Sequence, residues 1–329
     1  MGNKKPFFSI VIPTYKRPKE LKKAIKSVLV QTYPDFEIIV SDNCELLSAS
    51  PVCKSFKDKR IRYFVNKKNI GFTSNFYKAI GLSKGKYIFT LGDDDWLENP
   101  NLLKNVYQKI KEKRFGFIRI SFQYCDKKNR KFYLYLNQKA NRIINKSENS
   151  LKILDFLDKS IYYSISGLVF KRSANLLIKP ILQSQNPQLD MSDFWVKYLF
   201  NAVKKNGGWV DFEDVVYVSW SQYQSPTFYY LVNNLLPKEA IWELLKDSLS
   251  KEEMESWIEK ETMMFSRMLP SIKYYSNSSN LIAFTKRLMI LNKKLKWQVH
   301  VYAGLIIGLL MPKWLWRLLR SIYIRTRLR

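Results

Sequence analysis

Apolar residues in the first hundred positions fall into short unbroken runs separated by amphipathic stretches. Phe7–Ile12 (FFSIVI), rich in β-branched residues and closed by Pro13, predicts a strand buried on both faces. Pro18 suits the first turn of a helix, and Leu21, Ala24, Ile25, Val28 and Leu29 recur at helical spacing through Gln31, with lysines opposite. Phe36–Val40 is the next apolar run, and strand-helix-strand order implies a parallel pair with a right-handed crossover. The alternation continues with a strand over Ile61–Val65, a helix over Thr73–Leu82, a strand over Tyr87–Leu91, a helix over Asn101–Lys113 and a strand over Phe115–Phe122. This pattern predicts an α/β fold with a mainly parallel, Rossmann-like sheet flanked by helices.

Order weakens further on. Lys127–Lys131 (KKNRK) reads as a charged hairpin tip, Ser147 as the N-cap of a helix to Leu157, and Ile165–Phe170 as a strand. Residues 229–269 read as mainly helical, so the predicted boundary lies near Pro226, between a catalytic domain (1–226) and a helical C-terminal extension (227–329). Val299–Met311 is an apolar stretch of 13 residues, too short for a spanning helix, which needs roughly 20, and suits an interfacial or a core segment. Pro312 then opens a stretch in which Trp314, Leu315, Leu318, Leu319 and Ile322 share one face, with Lys313 and Arg317, Arg320, Arg325, Arg327 and Arg329 supplying charge. A basic amphipathic helix of this kind over 312–329 is expected to lie on an anionic membrane surface, the competing reading being a helix docked on the enzyme with a solvated basic face.

Charge sharpens that expectation. The chain has 329 residues with 56 Lys and Arg against 28 Asp and Glu, for a formal charge of +28. Thirteen of the basic residues lie between Thr262 and Arg329, a stretch with no acid at all. An acidic partner is implied, and the interleaving of charge with large apolar residues favours lipid over nucleic acid. Cys44, Cys53 and Cys125 have no metal-ligand spacing and suit a reducing compartment, and Met1–Pro6 lacks a secretory cleavage pattern, so a cytoplasmic, peripheral location is expected. His300 is the single histidine, which excludes Ser-His-Asp and Cys-His chemistry and multi-histidine zinc sites. Carboxylates must carry the reaction.

They sit where open α/β sheets bind ligands, just beyond strand carboxyl ends. Asp42 follows the second predicted strand, and Asp93, Asp94 and Asp95 follow the Tyr87–Leu91 strand after Gly92. Three consecutive carboxylates need an offsetting charge, and a hard cation such as Mg2+ or Mn2+ supplies it. The competing reading makes them caps for the helix near Pro100.

Five ordered segments carry a resemblance: Ser9-Ile10-Val11-Ile12-Pro13-Thr14-Tyr15, Ser27-Val28-Leu29-Val30-Gln31-Thr32-Tyr33, Glu37-Ile38-Ile39-Val40-Ser41-Asp42-Asn43, Asn69-Ile70-Gly71-Phe72 and Leu91-Gly92-Asp93-Asp94-Asp95. Together they closely resemble glycosyltransferase family 2, with the donor half in 1–98 and the acceptor half in 99–226. The resemblance implies a GT-A fold, a nucleoside-diphosphate sugar donor and inversion at the anomeric carbon. It implies that Pro13, Thr14 and Tyr15 line the nucleoside pocket, that Asp42 accepts a hydrogen bond from the base and favours a UDP-sugar, and that Asn69, Gly71 and Asn75 complete that pocket. Asp42 also reads as a plain turn or cap residue, and Asn75 as structural. Asp93 is assigned to the ribose or the metal, and Asp94 with Asp95 to the ion; the family's usual Asp-x-Asp-Asp has Gly92 in place of its first acid here.

On the acceptor side, Ser192-Asp193-Phe194-Trp195 followed by Leu199 resembles the segment whose aspartate is the catalytic base, which makes Asp193 the candidate, with Asp190 as the alternative and a helix cap as the plain reading. Ser166–Arg172 resembles the strand before the acceptor site, and Trp220–Ser225 falls where relatives carry Tyr-Arg-x-His, both of whose basic residues are missing here. The implied activity is transfer of a hexose or N-acetylhexosamine to a saccharide acceptor, expected to be lipid-linked. A sugar-phosphate nucleotidyltransferase lacks support because Pro13–Pro18 contains no glycine, and a basic nucleic-acid-binding protein rests only on the +28 charge and the nine tryptophans.

Overall fold

A strand buried at every position, β1 (Phe8–Thr14), anchors the sheet. It pairs in parallel with β2 (Phe36–Asp42) on one side and β4 (Tyr87–Thr90) on the other, and β2 pairs in parallel with β3 (Ile61–Val65). The computed structural model describes residues 5–44, 49–125, 131–132, 142–150, 152–153, 156–157, 165–172, 199–219, 249–267, 269, 278–312, 314–315 and 318. Beyond β4 the order continues through β9 (Leu168–Lys171), β6 (Phe117–Cys125), β10 (Gly208–Ser219) and β5 (Trp96–Leu97). β9 runs antiparallel to both β4 and β6, β10 runs parallel to β6, and β5 runs antiparallel to β10. The result is the expected mixed, mostly parallel sheet. β7 (Lys131–Phe132) pairs antiparallel with β6, and β8 (Arg142–Ile144) antiparallel with β10.

Side-chain alternation sorts the two faces. Phe8, Ile10 and Ile12 of β1 join Ile38 and Val40 of β2 in a core covered by α1 (Pro18–Leu29) and α4 (Leu102–Lys113). α1 contributes Leu21, Ala24, Ile25 and Val28, and α4 contributes Leu102, Leu103, Val106 and Ile110. α3 (Phe72–Leu82) packs on β1 and β2 through buried Phe76, Tyr77, Ala79 and Ile80. A short α2 (Ser50–Ser55) links β2 to β3, and α5 (Phe200–Asn206) precedes β10. Buried Glu37 clips three strands together: it accepts from Ser9 Oγ at 2.6 Å and from Arg62 at 2.6 Å.

Several boundaries differ from the sequence expectation. The helical turn after β8 is capped by Asn149, whose side chain accepts from the Lys152 amide at 2.9 Å, rather than by Ser147. The strand expected over Ile165–Phe170 starts at Leu168, because Ser166 and Gly167 turn, Gly167 with a φ of 80°. β6 extends to Cys125 and pairs there with antiparallel β7, and residues 126–130, which hold most of the expected hairpin tip Lys127–Lys131, lie outside the described set.

The chain divides into two compact units, Met1–Ser221 and Gln222–Arg329. The expected boundary at Pro226 and residues 229–248 of the expected helical stretch fall outside the described residues. The second unit contains α6 (Lys251–Ser266), α7 (Ser278–Leu291), a 3-10 turn (Lys293–Trp297) and α8 (Val299–Leu310). Asn292 joins them by donating to Thr262 Oγ1 at 3.0 Å and accepting from the Lys294 amide. His300 Nε2 lies 2.8 Å from Ser266 Oγ, which gives the lone histidine a structural partner.

Candidate functional site

The strand order β3-β2-β1-β4 places the topological switch point between β1 and β4, where α/β sheets bind their ligands. Register aligns the carboxyl ends: Thr14 stands opposite Asp42, and Leu91 extends β4 by donating to Val11 O at 3.0 Å. Asp93 then turns back over β1, and its carboxylate accepts from Thr14 Oγ1 at 2.7 Å across 79 positions of sequence. Lys16 adopts a left-handed φ of 56°, a costly conformation for a side-chain-bearing residue, so the chain turns sharply after Tyr15. Arg17 follows at the start of α1, and its Nη1 donates to Asp93 at 3.2 Å and to Asp94 at 2.9 Å. Pro13, Thr14 and Asp93 are thus buried together at the carboxyl end of β1, with Tyr15 exposed beside them.

Electrostatics here are unfavourable in a way that points to a ligand. Burial pushes the Asp93 carboxyl up to about 6, and the Asp94 charge adds to the rise; Arg17 and the Thr14 hydroxyl oppose it. Asp94 is raised too, by burial first, with Arg17 pulling it back. One guanidinium faces two desolvated carboxylates. None of the three acids caps α4, because β5 intervenes and α4 starts only at Leu102.

Asp95 is placed differently. Its buried carboxylate accepts from Ser166 Oγ, which also receives the Gly92 amide at 2.8 Å, while Ser166 O accepts from buried Arg119 at 2.6 Å. A Cβ at Gly92 would lie 2.7 Å from the Asp95 carboxylate, so a larger residue there would require the Asp95 side chain to shift. Among the described residues no group of three or more His, Cys, Asp or Glu side chains converges on a cation position. The donor set still fits Mg2+ or Mn2+: such ions are held by one or two carboxylates with phosphate oxygens and water completing the shell, and Asp93 and Asp94 form such a pair.

Next to this pair lies a lattice of amides. Asn43 Nδ2 donates to Asn69 Oδ1 at 2.6 Å and Gly71 O at 3.2 Å, while its Oδ1 accepts from Asn66 and from the Ile70 amide. Asn75 Oδ1 accepts from Ser41 and Asn66, and its Nδ2 donates to Ser41 O at 2.8 Å. Gly71 opens α3 with a φ of 80° and has open space where a Cβ would project, so its backbone angle, not crowding, demands glycine. Asp42 is fully buried and accepts from the Cys44 amide, the Ala49 amide and Tyr63 Oη, each at 3.0 Å. It therefore ties Cys44 and Ala49 to the end of β2 whatever else it binds.

Arg17, Ser166, Asn43 and Asn66 had no assigned site role in the sequence reading. Ser166 and Asn43 lie in segments already quoted, but only the fold reveals the partners of all four. Asp193 and Asp190, the base candidates, and Trp220–Ser225 lie outside the described residues.

The sequence matches Glycosyl transferase family 2 over residues 9–175. The chain belongs to that family. An uncharacterized glycosyltransferase of Methanocaldococcus jannaschii is 38% identical over 114 residues, covering 33% of this chain and 39% of that protein. Glycosyltransferase GlyG of Streptococcus pneumoniae is 28% identical over 130 residues, 39% of this chain and 43% of that one. The chain thus spans well under two thirds of these two relatives. An uncharacterized glycosyltransferase of Rickettsia typhi is 28% identical over 259 residues, 76% of this chain and 74% of its own. Among solved structures, residues 1–349 of S. aureus TarS superpose with a TM-score of 0.52 at 15% identity, covering 88% of this chain and 92% of that one. That likeness establishes the GT-A fold. A second TarS structure, of equal TM-score 0.52, is a complex with UDP-GlcNAc.

Proposed function

We propose that this family 2 glycosyltransferase transfers a hexose or N-acetylhexosamine from a UDP-sugar, with inversion, to a saccharide acceptor carried on a lipid, in cell-surface polysaccharide or glycan assembly. The observation that carries the donor part is the Asp93–Asp94 pair, joined to Thr14 at the switch point and left short of positive charge. A diphosphate with a divalent ion would supply that charge. Asp94, the more exposed of the two, is the proposed ion ligand; Asp93 holds the ribose or the ion, and Asp95 holds Gly92 and Ser166 in place behind them. A bound Mg2+ or Mn2+ ion would stabilise the charge that builds on the departing diphosphate. Thr14 and Arg17 orient the two carboxylates, and Pro13, Tyr15, Asn69 and Gly71 line the nucleoside side.

Asp42 is proposed to meet the base while tying Cys44 and Ala49 to the end of β2, and Asn75 to keep α3 in register with β2. The UDP reading gains support from the TarS complex, which shows the same fold around UDP-GlcNAc. Asp193 is the proposed base that takes the acceptor hydroxyl proton. The acid-free stretch 262–329 supports a location on an anionic membrane surface, on the cytoplasmic side, through the basic helix 312–329; no helix among the described residues is long and apolar enough to cross a bilayer. A panel of nucleotide sugars incubated with Mn2+ tests the donor reading: UDP-hexoses or UDP-N-acetylhexosamines should be hydrolysed in preference to GDP- and CMP-sugars. Preference for another nucleotide would overturn it.

A further inference from the structure

Helix α8 is inside out for a helix in water. Its buried positions are Val301, Gly304 and Gly308, one narrow stripe of mostly glycine that packs against α7 and touches α6. Five of its large apolar residues are exposed instead, with Leu305 and Leu309 partly buried. Val299 is 81% exposed, Ile306 54% and Leu310 76%, with Tyr302 and Ile307 also exposed. Positions 299, 302, 306, 307 and 310 share one face of a helix, so these side chains form a continuous apolar strip roughly 17 Å long at 1.5 Å per residue. Trp297 precedes the strip at 86% exposure, and Trp314 and Leu318 follow it.

A stable water-facing helix would reverse this arrangement, burying the isoleucines and leucines. Isolated exposed apolar residues need no explanation, but a contiguous strip of this kind marks a surface that is covered in use. Its surroundings identify the cover. Lys293 and Lys296 are exposed immediately before Trp297, whereas Lys294 between them is held by Glu259 at 2.8 Å; Lys313 and Arg317 follow the strip in the sequence, and no acid occurs anywhere from Thr262 to Arg329. A second copy of the chain placed on this face would bring like charges together. An anionic lipid surface satisfies both features, the strip entering the headgroup and acyl boundary and the lysines remaining with the phosphates. Tryptophan at 297 and 314 and tyrosine at 302 are residue types favoured at that depth.

We infer that the exposed face of α8, from Trp297 to Leu310, is the element that inserts into an anionic bilayer interface, with the basic terminal segment as its electrostatic partner. This deepens the membrane part of the function proposed above and is independent of the donor assignment. It also resolves the two roles left open for Val299–Met311 in favour of the interfacial one.

The test is sedimentation of the full chain with vesicles of equal parts phosphatidylglycerol and phosphatidylcholine, at low and high salt. The unmodified chain should bind and be only partly released by salt, since apolar insertion is not screened. Ile306→Gln with Leu310→Gln changes two exposed side chains, so folding should be unaffected. The double variant should lose about a hundredfold in affinity, about tenfold per side chain removed from the interface, and its remaining binding should be fully released by salt. Val30→Gln, at an exposed apolar position of the first unit, should bind like the unmodified chain. A nitroxide at Ile307→Cys should become accessible to oxygen and shielded from a water-soluble relaxant on binding.

Vesicle binding equal in the double variant and the unmodified chain would overturn the inference. So would a stable dimer that the double variant dissociates, which would make the strip a contact between copies, or an Ile307 probe shielded before vesicles are added. UDP binding measured on the same samples separates the two proposals: failure of the donor reading removes UDP binding from the unmodified chain and leaves its vesicle binding intact.

Discussion

Replacing Asp93 with asparagine should make the protein more stable near neutral pH, although it removes a residue assigned to the site. The Asp93 carboxyl titrates at about 6 in the folded chain against an ordinary value of 3.8. A carboxyl raised on folding binds its proton more tightly in the native state, so stability falls as pH climbs from about 4 to about 6 and stays reduced above that. At ~1.4 kcal/mol for each pH unit of that rise, the buried charge costs about 3 kcal/mol. The asparagine in Asp93→Asn carries no charge and can still accept from Thr14, and the lost ion pair with Arg17 is already counted in that figure, because the rise to about 6 is net of the opposing pull of Arg17. The expected net gain for Asp93→Asn is therefore up to about 3 kcal/mol near pH 8, shrinking to nothing near pH 4. Urea unfolding followed by tryptophan emission at both pH values measures it. A variant no more stable than the unmodified chain near pH 8, or a gain that persists near pH 4, would refute the reasoning. The gain should come with loss of UDP binding, the usual exchange of stability for a charged site.

Asn75→Ala should destabilise the first unit by about 1–3 kcal/mol, because it strands the buried Ser41 hydroxyl and one Asn66 donor; thermal unfolding reads the loss, and an unchanged transition would remove the lattice from the account. Asp193→Asn keeps size and loses basicity, so transfer should fall by about 10² or more with UDP binding nearly unchanged. Retained transfer in Asp193→Asn, with its loss in Asp190→Asn, would move the base to Asp190.

The parallel half of the fold was legible because its strands are buried on both faces. β1 and β2 are covered at all seven positions each, and such strands appear in sequence as unbroken apolar runs. α1 and α4 were legible for the complementary reason, one apolar stripe each. β10 went unread: Asp211, Glu213 and Asp214 interrupt its apolar pattern, and the register against β6 shifts between Asp211 and Val215. α2 escaped because six residues are too few to show a period. At the site, the acids stood out as a charge cluster after a strand, whereas Arg17 looked like one more surface cation. Its role depends on the left-handed turn at Lys16 and on β1 lying beside β4, neither of which local composition encodes. The amide lattice was half visible: Asn69, Gly71 and Asn75 belong to a familiar motif, while Asn43 and Asn66 reach it only because β2 and β3 end side by side.

The central claim is that Asp93 and Asp94 bind a nucleoside diphosphate together with a divalent ion. Calorimetric titration of UDP into the full chain, with Mn2+ and then with excess chelator, tests it most directly, using Asp94→Ala as the comparison. The account predicts binding that requires Mn2+ in the unmodified chain and is lost in a folded Asp94→Ala variant. UDP binding of equal strength in chelator, or undiminished in Asp94→Ala, would contradict it.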